Sequence, residues 1–241
     1  LPQAAGETLV LVVASLFVGV LLRRLPLVGP FIPALTLAAI AQLLLYQASM
    51  KVTWLPSRAF WKPAVRLTVV TTAWFLLPGA ILVHMMVMAV ASRDPGVLRA
   101  AWAQMASVPV WVMVHEAIRT AVAVPLAEEL AFRGYMHSRL LRYDARRYQL
   151  GKATLSRAAL VSGGLFAIIH LTNYLTFWLG RPSPVGLMAW HVGWAFAVGV
   201  AAAVLLEKTG SLLAPIVLHG FINLWAFLYR LVLVAYLAAQ L

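Results

Sequence analysis

Three observations predict an all-α fold, a polytopic transmembrane helical bundle of about seven spans (six to eight) around a polar intramembrane cavity. Hydrophobic residues fill 63% of the 241 positions, charged residues fill 11%, and mean hydropathy is +0.90, the balance of a membrane-embedded chain. The apolar residues fall in runs long enough to cross a bilayer, and most charges sit between the runs. The formal charge of +12 is spread over those connections. It therefore reads as a set of topology signals and excludes a nucleic-acid partner, which would call for one basic face. Cysteine is absent, which removes disulfides, thiolate metal sites and cysteine nucleophiles.

No initiator Met opens the chain, so the true start is expected to be missing or processed. Residues 9–22 form the first expected span; they lack the basic lead and small-residue cleavage site of a signal peptide. Arg23, Arg24 and a proline-rich turn lead to a second span, residues 31–48. Lys51, Arg58, Lys62 and Arg66 fill the next connection, where Trp54 and Trp61 suit the headgroup level. A third span, 67–91, carries His84 among methionines and without a polar partner nearby in sequence, so a packed or interfacial histidine is expected. Residues 97–108 are too mixed to span and are expected along the interface.

The fourth span runs over residues 109–141. Its His115, Glu116 and Arg119 match half of H-E-x-x-H, but Arg119 replaces the second histidine and excludes that zinc motif. Glu116 precedes Arg139 by 23 residues, roughly 34 Å of helix, which places it at the far membrane surface. Pro125 predicts a kink or a loosened turn just before Glu128. Arg139, Arg142, Arg146, Arg147, Lys152 and Arg157 against one Asp144 predict a solvated cytoplasmic loop. Three further spans follow, at 158–179, 185–206 and 212–238, the last long enough to bend or break. With that loop inside, eleven basic residues face the cytoplasm and five face outward, and the N-terminus is cytoplasmic.

The chemistry centres on Glu128, Glu129 and Arg133, at the end of an apolar run. An ionisable group inside a bilayer costs roughly 2.5–3.5 kcal/mol on insertion scales. Three of them in one turn and a half need a function. Adjacent helical positions diverge by about 100°, so the two glutamates are not expected to serve one site. Glu129 and Arg133 are four apart and read as an internal ion pair. Glu128 is left to face a cavity, where it suits general acid–base work.

Two more spans carry polar groups at matching depth. Glu128 is 11 residues from Arg139, His170 is 13 from Arg157 and His219 is 11 from Lys208, so all three lie roughly 16–20 Å along their helices from one face. Asn223 lies one turn beyond His219 on the same face. A carboxylate, two imidazoles and a carboxamide without a matching Ser or Cys suit activation of water rather than covalent attack. Asn223 and one histidine could donate to an oxyanion. His191 starts from the opposite face, beside Trp190 and Trp194, and reads as structural.

These residues resemble a known family, the CAAX prenyl endopeptidase and bacteriocin-processing (CPBP) membrane proteases. The resemblance rests on the E-E-x-x-x-R of Glu128, Glu129 and Arg133, the F-x-x-x-H of Phe166 and His170, and the H-x-x-x-N of His219 and Asn223. It divides the chain into N-terminal transmembrane helices, 1–108, and a catalytic helical core, 109–241. By that resemblance the chain is an intramembrane endopeptidase with a conical cavity open to the cytoplasm. Glu128 activates water, His170 helps to hold it, and His219 with Asn223 stabilises the oxyanion, while Glu129, Arg133 and Phe166 support the motif. No cofactor is required; a zinc site from Glu128, His170 and His219 is the chemical alternative. The expected partners are membrane lipid and a peptide or membrane-protein substrate, C-terminal or lipid-modified. Arginine-rich, alanine-rich composition points to a bacterial cytoplasmic membrane. The alternative function is a catalytically silent relative acting as scaffold or subunit of a larger membrane complex.

Overall fold

The computed structural model describes residues 10, 31–47, 50, 53–58, 61–92, 95–151, 153–171 and 185–240. Apart from residue 10, the first expected span at 9–22 lies outside them, as does the stretch 172–184 that would close the fifth span. Among the described residues seven helices and one hairpin follow in order: α1 (Ile32–Gln47), α2 (Trp61–Ala91), α3 (Pro95–Ser107), α4 (Val110–Tyr143), β1 (Arg147–Leu150), β2 (Ala153–Ser156), α5 (Arg157–His170), α6 (Val185–Thr209) and α7 (Leu213–Gln240). Four of them, α2, α4, α6 and α7, are long and apolar enough to cross a membrane, and α1 and α5 are shorter apolar helices. The architecture is a helical membrane bundle.

Several boundaries differ from the sequence expectation. The third span begins at Trp61, not 67, because Lys62 and Arg66 have long stems that let the first two turns stay helical while their heads reach the interface. Where residues 97–108 are expected as a mixed interfacial stretch, Pro95–Ser107 form helix α3, whose Leu98 packs with Val87 of α2 and Leu233 and Val234 of α7. The last apolar run is one unbroken 28-residue helix. His84 meets a group distant in sequence, the Tyr229 hydroxyl on α7 at 3.3 Å.

Besides that α2–α3–α7 contact, two buried clusters among the described residues hold the bundle. The larger joins Ala34, Leu37, Ala41 and Leu45 of α1, spaced three and four apart, to Leu130, Ala131, Met136 and Leu140 of α4. The second lies between α6 and α7, with Val198, Ala202 and Leu205 against Ala214, Leu218 and Ile222. Helix α5 crosses α6 at two glycines: a Cβ on Gly199 would stand 2.9 Å from Gly163 Cα. Only small residues permit backbones to approach so closely, which is how helices associate where lipid removes the hydrophobic drive. Gly210, at φ +62°, turns α6 into α7, and Ser211 Oγ ties that turn to Trp54 O at 2.7 Å.

The basic connection after α4 is exposed over residues 145–149, as its charge predicts, but it is a hairpin rather than an irregular loop. Residues 147–150 and 153–156 pair as an antiparallel hairpin, Arg147 opposite Ser156 and Leu150 opposite Ala153. Asp144 anchors its base, accepting hydrogen bonds from Arg146 and, at 2.9 Å, from Arg157 Nη1. Ser156 is buried, caps α5 by accepting from Ala159 N–H, and donates to Glu207. Arg147 Nη1 meets the second oxygen of Glu207 at 2.9 Å.

Two measurements test this part of the fold. Gln149 lies exposed on β1, so a Gln149→Cys protein in the orientation that the charge bias favours should react with an impermeant maleimide only after the membrane is opened; labelling in intact cells would invert the topology. The Arg146 side chain, then its backbone N–H, hold the Asp144 carboxyl at about 2, below its ordinary 3.8. Because the folded value is the lower one, the contribution of Asp144 is complete above the unfolded value and is lost as pH falls through the folded value. Measured against intrinsic exchange rates, protection of the amides in 147–150 and 153–156 should fall between about pH 4 and 2. In Asp144→Asn that protection should be lower throughout and lack the step.

Candidate active site

Helix α4 carries the site because its backbone is not uniformly α-helical. Residues Arg119–Ala123 and Leu130–His137 are π-helical. Pro125 has no N–H to offer the carbonyl of Ala121, and the turn before it widens so that the Val124 N–H bonds Arg119 O instead. The loosened turn foreseen at Pro125 thus takes the form of a π-helical stretch, a feature common at functional sites.

Helix α7 occupies the opening. A Cβ on Gly220 would stand 2.4 Å from Ala121 O, so only glycine allows this contact. One turn on, Asn223 Nδ2 donates to Thr120 O at 3.1 Å. The carboxamide expected at the oxyanion is therefore engaged through one N–H with the opened turn of α4, and its other N–H remains for a second acceptor.

The packing of α7 on α4 brings His219 onto both glutamates. Its Nδ1 lies 2.9 Å from Glu129 Oε1, and its Nε2 lies 3.9 Å from Glu128 Oε2. This corrects the expectation that adjacent glutamates face separate sites. Their 100° divergence is real, but an imidazole presents nitrogens on two edges and spans it. An ionised Glu129 only accepts, so Nδ1 carries the proton; donation from Nε2 as well then requires the imidazolium.

Glu129 and Arg133 form the expected ion pair at 3.1 Å, both side chains 0% exposed. Arg133 Nη2 also donates to Gly199 O at 2.9 Å, reached where α5 and α6 cross at glycine. Its guanidinium carbon lies 4.5 Å from the centroid of Phe166 and 5.8 Å from that of Phe132, within range of a cation–π interaction. Phe166 in turn touches both histidines, with centroids 4.5 Å from His170 and 5.6 Å from His219.

His170 Nδ1 lies 2.8 Å from Phe166 O. A carbonyl only accepts, so Nδ1 is protonated and Nε2 of the neutral ring keeps its lone pair. His191, read from sequence as structural, meets His170 edge-to-face at 5.8 Å. Counting depth from Arg181 did not reveal it, because the connection 172–184 did not allow α5 and α6 to be registered from sequence.

Glu128 combines exposure with an unpartnered atom. Its side chain is 27% exposed, while Oε2 is buried and has no hydrogen-bond partner among the described residues. No group of three His, Cys, Asp or Glu residues among those described is placed to hold a metal ion. The donor set Glu128, His170 and His219 therefore does not gather as a zinc site in this geometry.

Comparison with protein-family models matches residues 108–225 to the type II CAAX prenyl endopeptidase Rce1-like family. The chain belongs to that family of CAAX-type membrane proteases. Comparison with curated proteins and with solved structures gives no match. The matched segment holds all three sequence motifs and contains every side chain described above for the site. Membership makes the chain a peptidase in class and an integral membrane protein.

One further polar group lies just beyond the site and was missed by spacing alone. His137, fully buried on the second π-helical stretch, sits 3.3 Å from Ser162 Oγ on α5 and 3.3 Å from Glu207 Oε1 at the end of α6. It links the motif helix to the hairpin anchor. Arg133 is the more demanding member of the interior: removing one partner of a buried pair costs about 3–5 kcal/mol. Arg133→Ala should therefore yield little folded protein, and wild-type expression and thermal stability in that variant would show that the pair is dispensable.

Proposed function

We propose that the protein is an intramembrane endopeptidase that hydrolyses a peptide bond with water activated by Glu128. The observation that carries this is the placement of His219, whose two nitrogens face Glu128 and a Glu129 itself held by Arg133. Water enters beside the partly exposed Glu128, gives its proton to the carboxylate and attacks the substrate carbonyl. The oxyanion is held by His219 in its imidazolium form, through Nε2, and by the remaining N–H of Asn223. Collapse of the tetrahedral species breaks the C–N bond as Glu128 returns the proton to the leaving amine. His170 Nε2 supplies the acceptor that orients the water.

In this mechanism Glu129 and Arg133 are positioning residues. A carboxylate fixed by a buried guanidinium holds the imidazole edge-on toward Glu128, the logic by which a third group orients a base in catalytic triads. No step uses a metal. The substrate class is a peptide or membrane-protein segment, C-terminal or lipid-modified, entering a cavity open to the cytoplasm. A bacterial cytoplasmic membrane is the proposed location, and 109–241 the catalytic core.

Activity of purified variants on a membrane-peptide library tests the assignment. Glu128→Gln should fold normally and lose roughly 10²–10⁴ in turnover, and Asn223→Ala or His219→Ala up to about 10²–10³. Wild-type activity should persist in chelator; loss in chelator with recovery on added zinc would replace the glutamate mechanism with a metal one. If wild-type and Glu128→Gln proteins left identical membrane proteomes and cut nothing, the scaffold would take its place.

A further inference from the structure

Outside the site, the ends of α2 and α6 form a surface feature of unusual charge. A groove of about 760 Å³ is lined by Lys62, Pro63, Arg66, Leu67, Val70 and Lys208. Three cations and no carboxylate face it. Lys62 and Arg66 are four apart on α2 and share a face, and Lys208 joins them from the last turn of α6. Glu207, the nearest carboxylate in sequence, is turned inward onto Ser156, His137 and Arg147. Among the described residues none engages the side chains of Lys62, Arg66 or Lys208 in an ion pair.

Two apolar grooves lead away from this cationic mouth. One, of about 340 Å³, shares Lys62, Arg66 and Val70 with it and is walled by Trp61, Val65 and Val69. The other, of about 530 Å³, shares Leu67 and Lys208 and runs between α2, α5 and α6 past Leu160, Phe196, Val200 and Val204. Trp61, Val65, Val69, Val70 and Phe196 are exposed along these walls. Lysine, arginine and an exposed tryptophan at one level are the composition of a membrane–water interface.

We propose that this face binds an anionic diacyl phospholipid, its phosphate between Lys62, Arg66 and Lys208 and its acyl chains in the two grooves. Charge and shape select this occupant together. A soluble anion satisfies the cations but leaves both grooves unfilled. A zwitterionic lipid fills the grooves but carries its own cation into a mouth that already holds three. An anionic lipid answers both, with basic groups near an anionic membrane surface each strengthening its hold.

Native mass spectrometry of the full chain in mild detergent, paired with thermal melting, tests the proposal. Phosphatidylglycerol should appear as a bound adduct and raise the melting temperature, while phosphatidylcholine and inorganic phosphate at the same concentration should do neither. Lys62→Gln, Arg66→Gln and Lys208→Gln should each weaken phosphatidylglycerol binding by about fivefold, and the triple variant should abolish the adduct; if the triple variant fails to fold, the three single variants carry the test. An equal response to phosphatidylcholine, or binding unchanged in every single variant, would overturn the lipid site. So would a shift reproduced by phosphate alone, which would mark a soluble-anion site. A dimer peak without a lipid adduct, lost on these substitutions, would assign the face to a second copy of the chain and overturn it equally.

Discussion

The ion pair between Glu129 and Arg133, fully enclosed at 3.1 Å, is the constraint around which the interior is arranged. Charges removed from water lose several kcal/mol each unless geometry and added hydrogen bonds compensate them. Here the compensation comes from four elements. His219 of α7 meets Glu129, the Gly199 carbonyl of α6 accepts from Arg133, Phe166 of α5 offers a ring face, and α4 carries the pair itself. The glycine crossing of α5 and α6 is a condition of this arrangement, because a side chain at 163 or 199 would separate the helices and remove the Gly199 carbonyl from reach. Packing and electrostatics are thus one requirement.

A second dependence links backbone irregularity to the histidine. Pro125 leaves carbonyls on α4 without their usual donors, and α7 meets that opened surface with Asn223 and Gly220. Unsatisfied backbone groups are costly in a bilayer and persist only where protein covers them. The same contact that covers them sets the height of His219 against Glu128 and Glu129. Asn223 accordingly has a structural task besides its proposed oxyanion role, so its removal acts on the fold and on the chemistry.

The polar side of the bundle follows the same rule in a wetter setting. The basic connection folds into a hairpin because Asp144 gathers Arg146 and Arg157, and because Glu207 receives Ser156 and Arg147. His137 continues this network into the motif helix. Lys208 is left on the outer surface with Lys62 and Arg66, a division of charge between an inward carboxylate and an outward ammonium at neighbouring positions.

Much of this was legible in the residues. Apolar run length determined the helical membrane class, since twenty or so consecutive apolar residues have few other stable homes. Four-residue spacing determined the Glu129–Arg133 pair, because positions i and i+4 share a helical face whatever surrounds them. Depth counted from the basic ends singled out Glu128, His170 and His219 as candidates for one site. Tertiary structure decided what spacing within a single helix cannot express. Two carboxylates diverging by 100° meet one imidazole because α7 lies across them, and His191 meets His170 because α6 and α5 cross closely. Asn223 bonds a carbonyl that only the π-helical turn exposes. The basic loop became a hairpin because Asp144 at the end of α4 and Glu207 on α6 hold its two ends. Each of these rests on the relative placement of two or more helices, a long-range property set by which small residues allow contact and which buried charges demand it.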